Sequence, residues 1–401
     1  MVLISCNAGS TSLKLGVIEM PGGKTLASEK IERIGSLDST LNFKDAAGIE
    51  WTRNIYIDNH VCAARAALGA LKEEGIIKST SGLDGIAFKA VHGGALTEPT
   101  LIDDEVLAVM ERFITVAPLH NRVYLDVIRA FRQVAPKLPM VAVFETAFHN
   151  TMPEYAYTYA VPLEWKEKYG VRKYGFHGAS HSYINKRIQE LTGRTDLKVI
   201  SCHLGGSSSL CALQSGVSID ATQGFSPQSG ISMGTRNGDL DVYIIFYLVA
   251  NGFTLEEIND ALYTKSGLKG LSGISEDTRD IELAASRGDK RAELALQVYC
   301  YDIVKYIGAY WALLGGLDAI VFTGGIGENS IFIRAKVLRM LEHMGVVLDA
   351  DKNQNNIPNQ RISTEASRVD VYVIRTNEEL MVAEKAAEVL SQFEGEDTQH
   401  A

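Results

Sequence analysis

The chain reads VLISCNAGSTSLKL at residues 2–15 and VISCHLGGSSSLCAL at residues 199–213. In both places a short apolar run ending in "ISC" leads into a loop of glycine and serine that is followed by leucine. The two copies are separated by about half of the 401-residue chain. Chance similarity is the alternative, but both copies occupy the same setting, directly after a predicted strand. The repeat therefore predicts that one domain has been duplicated.

Composition excludes several classes of protein. The chain has 49 acidic and 39 basic residues, and the net charge of −10 argues against a nucleic-acid surface and gives no reason to expect attraction to a membrane. The apolar stretch at 306–322 is too short and too interrupted by glycine to span a bilayer. The N-terminus lacks the pattern of a secretory signal. Five cysteines without C-x-x-C spacing predict a reducing compartment, so we expect a cytoplasmic protein.

Short runs rich in β-branched residues alternate along the chain with stretches in which apolar residues recur every three or four positions. The runs predict strands and the periodic stretches predict helices, which together indicate the α/β class. Several runs are apolar throughout, as expected of a parallel sheet covered on both faces. Strands are predicted at 2–6, 85–91, 140–144, 198–202, 319–322 and 369–374, and helices at 59–75, 291–315, 330–345 and 378–393.

Three glycine-rich loops follow predicted strands. Two are the repeated loops, and the third is FTGGIGENS at 322–330, which opens a predicted helix. Such loops present backbone N–H groups that suit phosphate oxygens, although a plain β-hairpin turn is the alternative for each repeated loop alone. Neither a P-loop motif nor a complete G-x-G-x-x-G is present. The three loops together predict nucleotide binding at a site of another type.

Charged and imidazole side chains surround these loops. His177 and His181 are four residues apart, but no third metal ligand is apparent, so contact with phosphate is the stronger interpretation. Glu145 and Glu378 end strand-like runs and are candidates for holding Mg²⁺, although acidic residues at a helix start are often only favourable first-turn charges. Arg236 supplies a planar charge for phosphate.

The motifs that carry these residues occur in a distinctive order. They are NAGSTSLK, VHGG, APLHN, TAFHNTMP, YGFHGASH, HLGGSSS, GFSP, MGTRNGDLD, FTGGIGENS and TNEEL. In this set and order the sequence resembles the acetate kinase (acetokinase) family over essentially its whole length. That family belongs to the sugar kinase, Hsc70 and actin superfamily. The resemblance implies two duplicated actin-like (ribonuclease H-like) α/β domains flanking a nucleotide cleft.

The resemblance also implies a division of labour between domains. An N-terminal acyl and phosphate domain would span 1–146 plus 380–401, with a returning C-terminal helix, and a nucleotide-binding domain would span 147–379. The family transfers the γ-phosphoryl group of ATP to acetate reversibly, with Mg²⁺ or Mn²⁺, and gives acetyl phosphate and ADP. A homodimer is likewise implied, with no nucleic-acid or membrane partner.

Site residues are carried over by motif. The resemblance implies catalytic roles for Glu145, His177 and Arg236, and metal binding by Asn7 and Glu378. The residues implied in acetate binding are Lys89, Val91, Leu119, His120, Phe176 and Pro227. The residues implied in ATP binding are Lys14, His203, Leu204, Gly205, Gly206, Ser207, Asp277, Thr278, Arg279, Gly325, Ile326, Gly327, Glu328 and Asn329. Because a carboxylate acceptor needs no general base, Glu145 is expected to organise Mg²⁺ or a neighbouring cation.

Three positions depart from the family pattern. Lys89 stands where the family has a substrate-binding arginine, Glu145 where it has an aspartate, and Gly206 where it has an asparagine. Lysine cannot form the two-pronged contact that arginine makes with a carboxylate or phosphate. Glutamate keeps the charge of aspartate and extends it by one methylene. Since both changes fall in one implied site, we expect Lys89 and Glu145 to compensate each other.

Other functions remain open at this point. The acceptor could be propionate, butyrate or another acid, or the phosphoryl donor could differ from ATP. A hydroxyl acceptor would make Glu145 a candidate base. A nucleotide sensor without turnover is a further alternative, which the presence of all the implied catalytic and metal residues disfavours.

Overall fold

The computed structural model describes residues 1–114, 116 and 118–397, with every side chain in these ranges except those of 118–120 and 394–397. Within this part the chain forms two compact units. Unit 1 consists of residues 1–148 together with the described residues from 377 onward, and unit 2 consists of residues 149–376. Each unit is built on a mixed β-sheet with helices packed against it.

The strands of unit 1 are β1 (Val2–Gly9), β2 (Ser12–Glu19), β3 (Lys24–Glu32), β4 (Thr40–Asp45), β5 (Glu50–Asn54), β6 (Gly85–Ala90), β7 (Thr100–Leu101) and β8 (Met140–Phe144). The strands of unit 2 are β9 (Lys198–His203), β10 (Ser209–Gln214), β11 (Val217–Ala221), β12 (Ala319–Thr323), β13 (Gln360–Arg361) and β14 (Asp370–Val373). The helices are α1 (His60–Glu73), α2 (Asp104–Arg112), α3 (Pro118–Val134), α4 (Glu154–Tyr157), α5 (Leu163–Tyr169), α6 (Gly178–Thr192), α7 (Tyr243–Ala250), α8 (Leu255–Thr264), α9 (Gly267–Ser272), α10 (Thr278–Ser286), α11 (Lys290–Leu314), α12 (Gly324–Asn329), α13 (Ile331–Met340), α14 (Ala350–Asn355) and α15 (Glu378–Asp397).

Six strands of the first sheet have the same order as the six strands of the second. In unit 1 the order is β5-β4-β3-β2-β1-β6-β8-β7, and in unit 2 it is β11-β10-β9-β12-β14-β13. β1, β6 and β8 are parallel to one another, as are β9, β12 and β14. β2 and β3 continue the first sheet in antiparallel fashion, as β10 and β11 continue the second. This common topology confirms that the repeated sequence marks a repeated domain.

The parallel strands of each unit are buried on both faces. In β1 the consecutive side chains Leu3 and Ile4 are fully buried, and Ile320 and Val321 of β12 are likewise fully buried. Helices α3 and α15 pack against β1 and β6 in unit 1, while α11 and α12 pack against β9 in unit 2. The uninterrupted apolar runs of the sequence therefore reflect two-sided burial, as predicted.

Every predicted strand and helix is present, with ends shifted by at most five residues. The antiparallel strands β2 to β5 were not predicted. In β3 the alternation Ala27, Glu29, Ile31 marks the buried face. The acidic residue at the centre of that face hides the alternation, because a charged side chain is rarely buried.

Glu29 is an unusual member of the core of unit 1. It pairs with Leu15 on one side and Phe43 on the other, and only 3% of its surface is exposed. Its two carboxyl oxygens have no hydrogen-bond partner among the described residues. Burial therefore raises the pKa of Glu29 to about 9. The carboxyl group is neutral in the folded protein at pH 7, whereas it is ionised in the unfolded chain.

Replacing Glu29 by glutamine is expected to stabilise the protein increasingly as the pH rises. Between the ordinary pKa of 4.5 and about 9, the folded state holds a proton that the unfolded state has lost. The wild type therefore loses about 1.4 kcal/mol of unfolding free energy per pH unit through this group. The variant should gain about 3 kcal/mol on the wild type between about pH 5 and about pH 7, measured by urea unfolding.

Glu32→Gln is the matched control for this experiment. Glu32 lies on the same strand but is exposed, and its hydrogen bond and charge interaction with Lys30 lower the pKa of its carboxyl group. Its substitution should give no stability gain that grows with pH. A difference between Glu29→Gln and wild type that stays constant across the pH range would contradict the assignment of a buried, neutral Glu29.

Candidate active site

The first repeated loop is a tight β-hairpin in unit 1. Gly9 pairs with Ser12 across the turn between β1 and β2, and Asn7 pairs directly with Lys14. Directly paired residues lie on the same face of a sheet. The hairpin therefore brings an amide and an ammonium group, predicted to bind metal and phosphate, to one face of the sheet.

A buried cluster of charges lies at the carboxyl ends of the parallel strands of unit 1. Lys89 near the end of β6 is ion-paired with Glu378 at the start of α15, and its Nζ lies 3.5 Å from Glu145 Oε1 just beyond β8. The exposed fractions of these side chains are 17%, 18% and 4%, respectively. Burial by itself would lower the pKa of Lys89, but the charges of Glu145 and Glu378 outweigh it and raise that pKa. Lys89 is therefore a permanent cation.

Tyr124 of α3 connects this region to the hairpin. Its hydroxyl group donates to Asn7 Oδ1 at 2.9 Å and accepts from the backbone N–H of Ala8 at 3.2 Å. The side chain is almost fully buried, and burial raises the pKa of the phenol. Sequence reasoning missed Tyr124, because a tyrosine at helical spacing in an apolar stretch reads as a core residue. The phenol fixes the orientation of the Asn7 amide.

The donor atoms of Asn7 and Glu378 match those that Mg²⁺ binds in proteins. They offer an amide oxygen and a carboxylate, which are ligand types that Mg²⁺ accepts. Mg²⁺ keeps several waters and is held by few protein groups together with substrate phosphates. The pair therefore fits an ion that arrives with a nucleotide. Among the described residues, no group of three or more histidine, cysteine or acidic side chains could hold a metal on its own.

The second repeated loop and the third glycine-rich loop meet in unit 2. A groove of about 530 Å³ is lined by Gly205, Gly206, Glu276, Asp277, Thr278, Arg279, Glu282, Gly325, Ile326, Asn329 and Ser330. Eight of the predicted ATP-binding residues, which come from three separate segments of the chain, lie along this groove. A Cβ at Gly206 or Gly325 would meet no atom within 4 Å, so both positions are open. Residues 324–329, which the sequence analysis assigned to a loop that opens a helix, form the short helix α12 directly after β12.

Three lining residues of the groove were not predicted. Glu276 precedes the predicted Asp277, while Ser330 caps α13 and donates to Glu282 Oε1 at 2.5 Å. Burial raises the pKa of Glu282. Ser330 ends the FTGGIGENS motif and could have been included on that signal. Glu282 sits inside α10 and carried no local signal, because only the packing of α10 beside α13 exposes it to the groove.

Several predicted nucleotide contacts do not line this groove. Leu204 is fully buried. Glu328 Oε1 accepts from the backbone N–H groups of Gly324 and Thr376, at 3.0 Å each. Ser207 Oγ accepts from Arg236 Nη1 at 3.1 Å. In this structure Glu328 holds the ends of two strands, and Ser207 supports the guanidinium group.

Arg236 is a largely buried cation with neutral partners. Nη1 donates to Ser207 Oγ and to the carbonyl oxygen of Pro227, each at 3.1 Å, and the guanidinium group lies 4.8 Å from the ring centroid of Tyr263. No carboxylate among the described residues forms an ion pair with it. Burial lowers the pKa of Arg236, which nevertheless remains a cation at neutral pH. Such a group is well suited to an anionic ligand.

His177 sits at the amino end of α6 in a left-handed backbone conformation, with φ of 56°. Non-glycine residues adopt this conformation rarely, and strained positions of this kind concentrate at functional sites. Its ring stacks on His203 with centroids 4.2 Å apart, and its Nδ1 lies 2.8 Å from Ser209 Oγ. His177, which the sequence analysis assigned to phosphate, therefore lies face to face with His203, which the resemblance implied in ATP binding.

The residues implied in acetate binding belong to both units of the chain. Val91 is buried in unit 1, and Phe176 is buried in unit 2, where Pro227 also lies. The side chains of Leu119 and His120 lie outside the part of the chain that the structure describes.

Among the helices of the described residues, none has the length and apolar character that a membrane span requires.

Comparison with known proteins identifies the family. The model of the acetokinase family matches residues 1–384. The chain is 48% identical over 385 residues to an acetate kinase of Anoxybacillus flavithermus, covering 95% of this chain and 97% of that protein. It is 46% identical to the acetate kinase of Bacillus subtilis over the same coverage.

Solved structures give the same result. An acetate kinase from Porphyromonas gingivalis matches with a TM-score of 0.88 and 38% identity, covering 97% of this chain and 99% of that one. A propionate kinase from Francisella tularensis matches with a TM-score of 0.90 and 34% identity, covering 96% and 98%. The predicted family and α/β fold class are confirmed, and the chain belongs to the acetokinase family.

Proposed function

We propose that the protein is an acetate kinase that transfers the γ-phosphoryl group of ATP to acetate, reversibly, to give acetyl phosphate and ADP. The observation that carries the proposal is the groove of unit 2, where three predicted nucleotide-binding segments meet. The names of the relatives support acetate as the acceptor. In the groove, open glycines at 206 and 325 allow close approach of a nucleotide, and the first turn of α10 borders the groove.

Phosphoryl transfer needs alignment and charge stabilisation more than covalent chemistry. Arg236 and His177 would stabilise the charge on the equatorial oxygens of the transferred group. Lys14 would contact the nucleotide phosphates. Asn7 and Glu378 would hold Mg²⁺, which supplies further neutralisation of phosphate charge when it is bound. Because acetate is ionised at neutral pH, it attacks without a general base.

Lys89 and Glu145 would bind the acceptor as a compensated pair. Lysine offers a point charge in place of the arginine fork, and the longer Glu145 reaches to 3.5 Å from its ammonium group. Glu145 would thus fix the position of a cation that faces the acetate carboxylate. This arrangement favours an organising role of Glu145 over a role as base.

Incubation with ATP, Mg²⁺ and a panel of carboxylic acids, with acyl phosphate trapped as hydroxamate, tests the proposal. We expect product with acetate in preference to the longer acids. Lack of product with every acid would exclude the acyl kinase function. The alternative acceptor is propionate, because a propionate kinase shares the fold at 34% identity. A higher kcat/KM for propionate than for acetate would establish that alternative.

We also propose a homodimer that buries α7. This helix has the sequence YIIFYLVA, and no residue of it is buried in the single chain. Tyr243, Phe246 and Tyr247 are exposed by 74%, 62% and 69%. A contiguous exposed apolar surface of this kind marks a site of interaction with another protein. A second copy of the chain is its proposed occupant.

Replacing Phe246 by aspartate is expected to convert the dimer to a monomer, because a carboxylate in a desolvated interface costs several kcal/mol. Sedimentation equilibrium should give twice the 43.8 kDa chain mass for the wild type and the single mass for the variant. Tyr155→Asp is the control, since Tyr155 is 84% exposed on α4. A wild type that sediments as a monomer would contradict the proposal.

A further inference from the structure

A chain of hydrogen bonds leads from the core of unit 2 to His177. Ser201 Oγ lies 2.9 Å from His181 Nδ1, and His181 Nε2 lies 2.8 Å from Ser209 Oγ. Ser209 Oγ in turn lies 2.8 Å from His177 Nδ1. His177 directly precedes α6 and His181 lies in the first turn of that helix, with their ring centroids 6.4 Å apart, while the two serines come from the neighbouring strands β9 and β10.

The inner members of this chain are sealed from solvent. Ser201, His181 and Ser209 are each fully buried. Burial, together with the nearby His149 and His203, holds the pKa of His181 well below its usual range. His181 is therefore a neutral imidazole, which carries one proton and offers one acceptor nitrogen. The direction of each hydrogen bond can then be worked out by counting protons.

Ser201 fixes the direction of the hydrogen bonds in this chain. Its hydroxyl proton has one acceptor among the described residues, which is His181 Nδ1. His181 must therefore carry its own proton on Nε2 and donate it to Ser209 Oγ. Ser209 then has its hydroxyl proton left to donate, and its remaining contact is His177 Nδ1. His177 Nδ1 is thus an acceptor, so its proton is on Nε2.

Hydrogen bonds in the reverse direction would leave one buried proton without an acceptor. If His177 Nδ1 donated to Ser209, then Ser209 would donate to His181 Nε2, and His181 Nδ1 would donate to Ser201. The hydroxyl proton of Ser201 would then be buried without an acceptor among the described residues. Leaving a buried donor unsatisfied is costly, whereas an unused lone pair on a hydroxyl oxygen is common.

We propose that Ser201, His181 and Ser209 form a directional hydrogen-bond relay that holds His177 as the tautomer with its proton on Nε2. A histidine fixed in this way presents a permanent N–H donor, which suits a phosphoryl oxygen that gains negative charge during transfer. The consequence for catalysis rests on the proposed function, whereas the tautomer itself does not. His181, Ser201 and Ser209 are accordingly positioning residues, which act on the substrate only through His177.

The tautomer can be read directly by ¹⁵N NMR on the full-length protein labelled in histidine, with His177→Gln used for assignment. We expect Nε2 of His177 to be protonated and Nδ1 to be unprotonated in the wild type. Ser209→Ala should give a mixture of tautomers. Its kcat should fall about tenfold to a hundredfold, by analogy with the loss of a partner that orients a metal-ligating histidine, with an unchanged KM for ATP. Ser209→Thr keeps the hydroxyl group and should restore both readouts.

Ser218→Ala is the matched control. Ser218 is also fully buried, and its Oγ lies 2.9 Å from Nδ1 of another buried histidine, His149. This variant should leave the tautomer of His177 and the kcat unchanged. A wild-type His177 protonated on Nδ1 would overturn the relay, even if the Ser209 variants failed to fold. Lack of activity with every carboxylate would refute the proposed function. The tautomer of His177 measured by NMR would still show whether the relay exists.

Discussion

Replacing Arg236 by glutamine is expected to lower kcat for acetyl phosphate formation by about 10³-fold or more, with little change in KM for ATP. The guanidinium group is largely buried, and its hydrogen-bond partners Ser207 and Pro227 contribute only neutral oxygens. Its charge is therefore available to an anion, and that interaction strengthens as charge builds up on the transferred phosphoryl group. Coupled measurement of ADP formation at varied ATP concentration gives both constants.

Arg187→Gln is the control for this variant. Arg187 lies on α6 in the same unit and pairs with Glu190 at the surface, at 2.8 Å. Its loss should leave both constants unchanged, since exposed ion pairs contribute little. If kcat of Arg236→Gln stayed within about tenfold of the wild type, Arg236 would not stabilise the transition state.

Replacing Lys89 by methionine should lower kcat/KM for acetate by about 10²- to 10³-fold, because breaking a buried charge pair costs a few kcal/mol. Methionine keeps the length of the side chain but removes the ammonium group that contacts both Glu145 and Glu378. Hydroxamate trapping at limiting acetate measures the effect. Lys30→Met is the control, because Lys30 forms an exposed ion pair with Glu32 in the same unit.

A double-mutant cycle tests whether Lys89 and Glu145 compensate each other. Lys89→Arg and Glu145→Asp should each lower kcat/KM. Lys89→Arg places a longer cation against the long side chain of Glu145, and Glu145→Asp moves the carboxylate away from the ammonium group of Lys89. The double variant should recover part of that loss, since it changes the two lengths together. Losses that simply add would show that the residues act independently.

Much of the fold could be predicted because the parallel strands of both sheets are buried on both faces and read as uninterrupted apolar runs. The repeated loop identified the duplication, and the shared strand order of the two sheets confirms it. The antiparallel strands β2 to β5 escaped prediction. Their pattern depends on one buried face, and Glu29 interrupts that face with a carboxyl group that burial keeps neutral.

The candidate site was predicted where function resides in contiguous motifs. Gly205, Asp277 and Gly325 were each implied by a motif shared with the family, and they line one groove. Roles that depend on side chains from distant segments were not predicted. Tyr124 reaches Asn7 across 117 positions, and Glu282 meets Ser330 across 48. No local pattern encodes such pairs, because they form only when helices pack on the sheet.

The sequence by itself therefore determined the family, the duplicated α/β architecture and the segments that carry the chemistry, because these depend on local patterns and their order. Only the tertiary structure decided which atoms meet. It placed Lys89 between two acidic side chains and surrounded Arg236 with neutral partners. It also linked His177 to a buried serine of β9 through two hydrogen-bonded side chains. Charge balance and proton position are properties of neighbours in space, and long-range packing sets those neighbours.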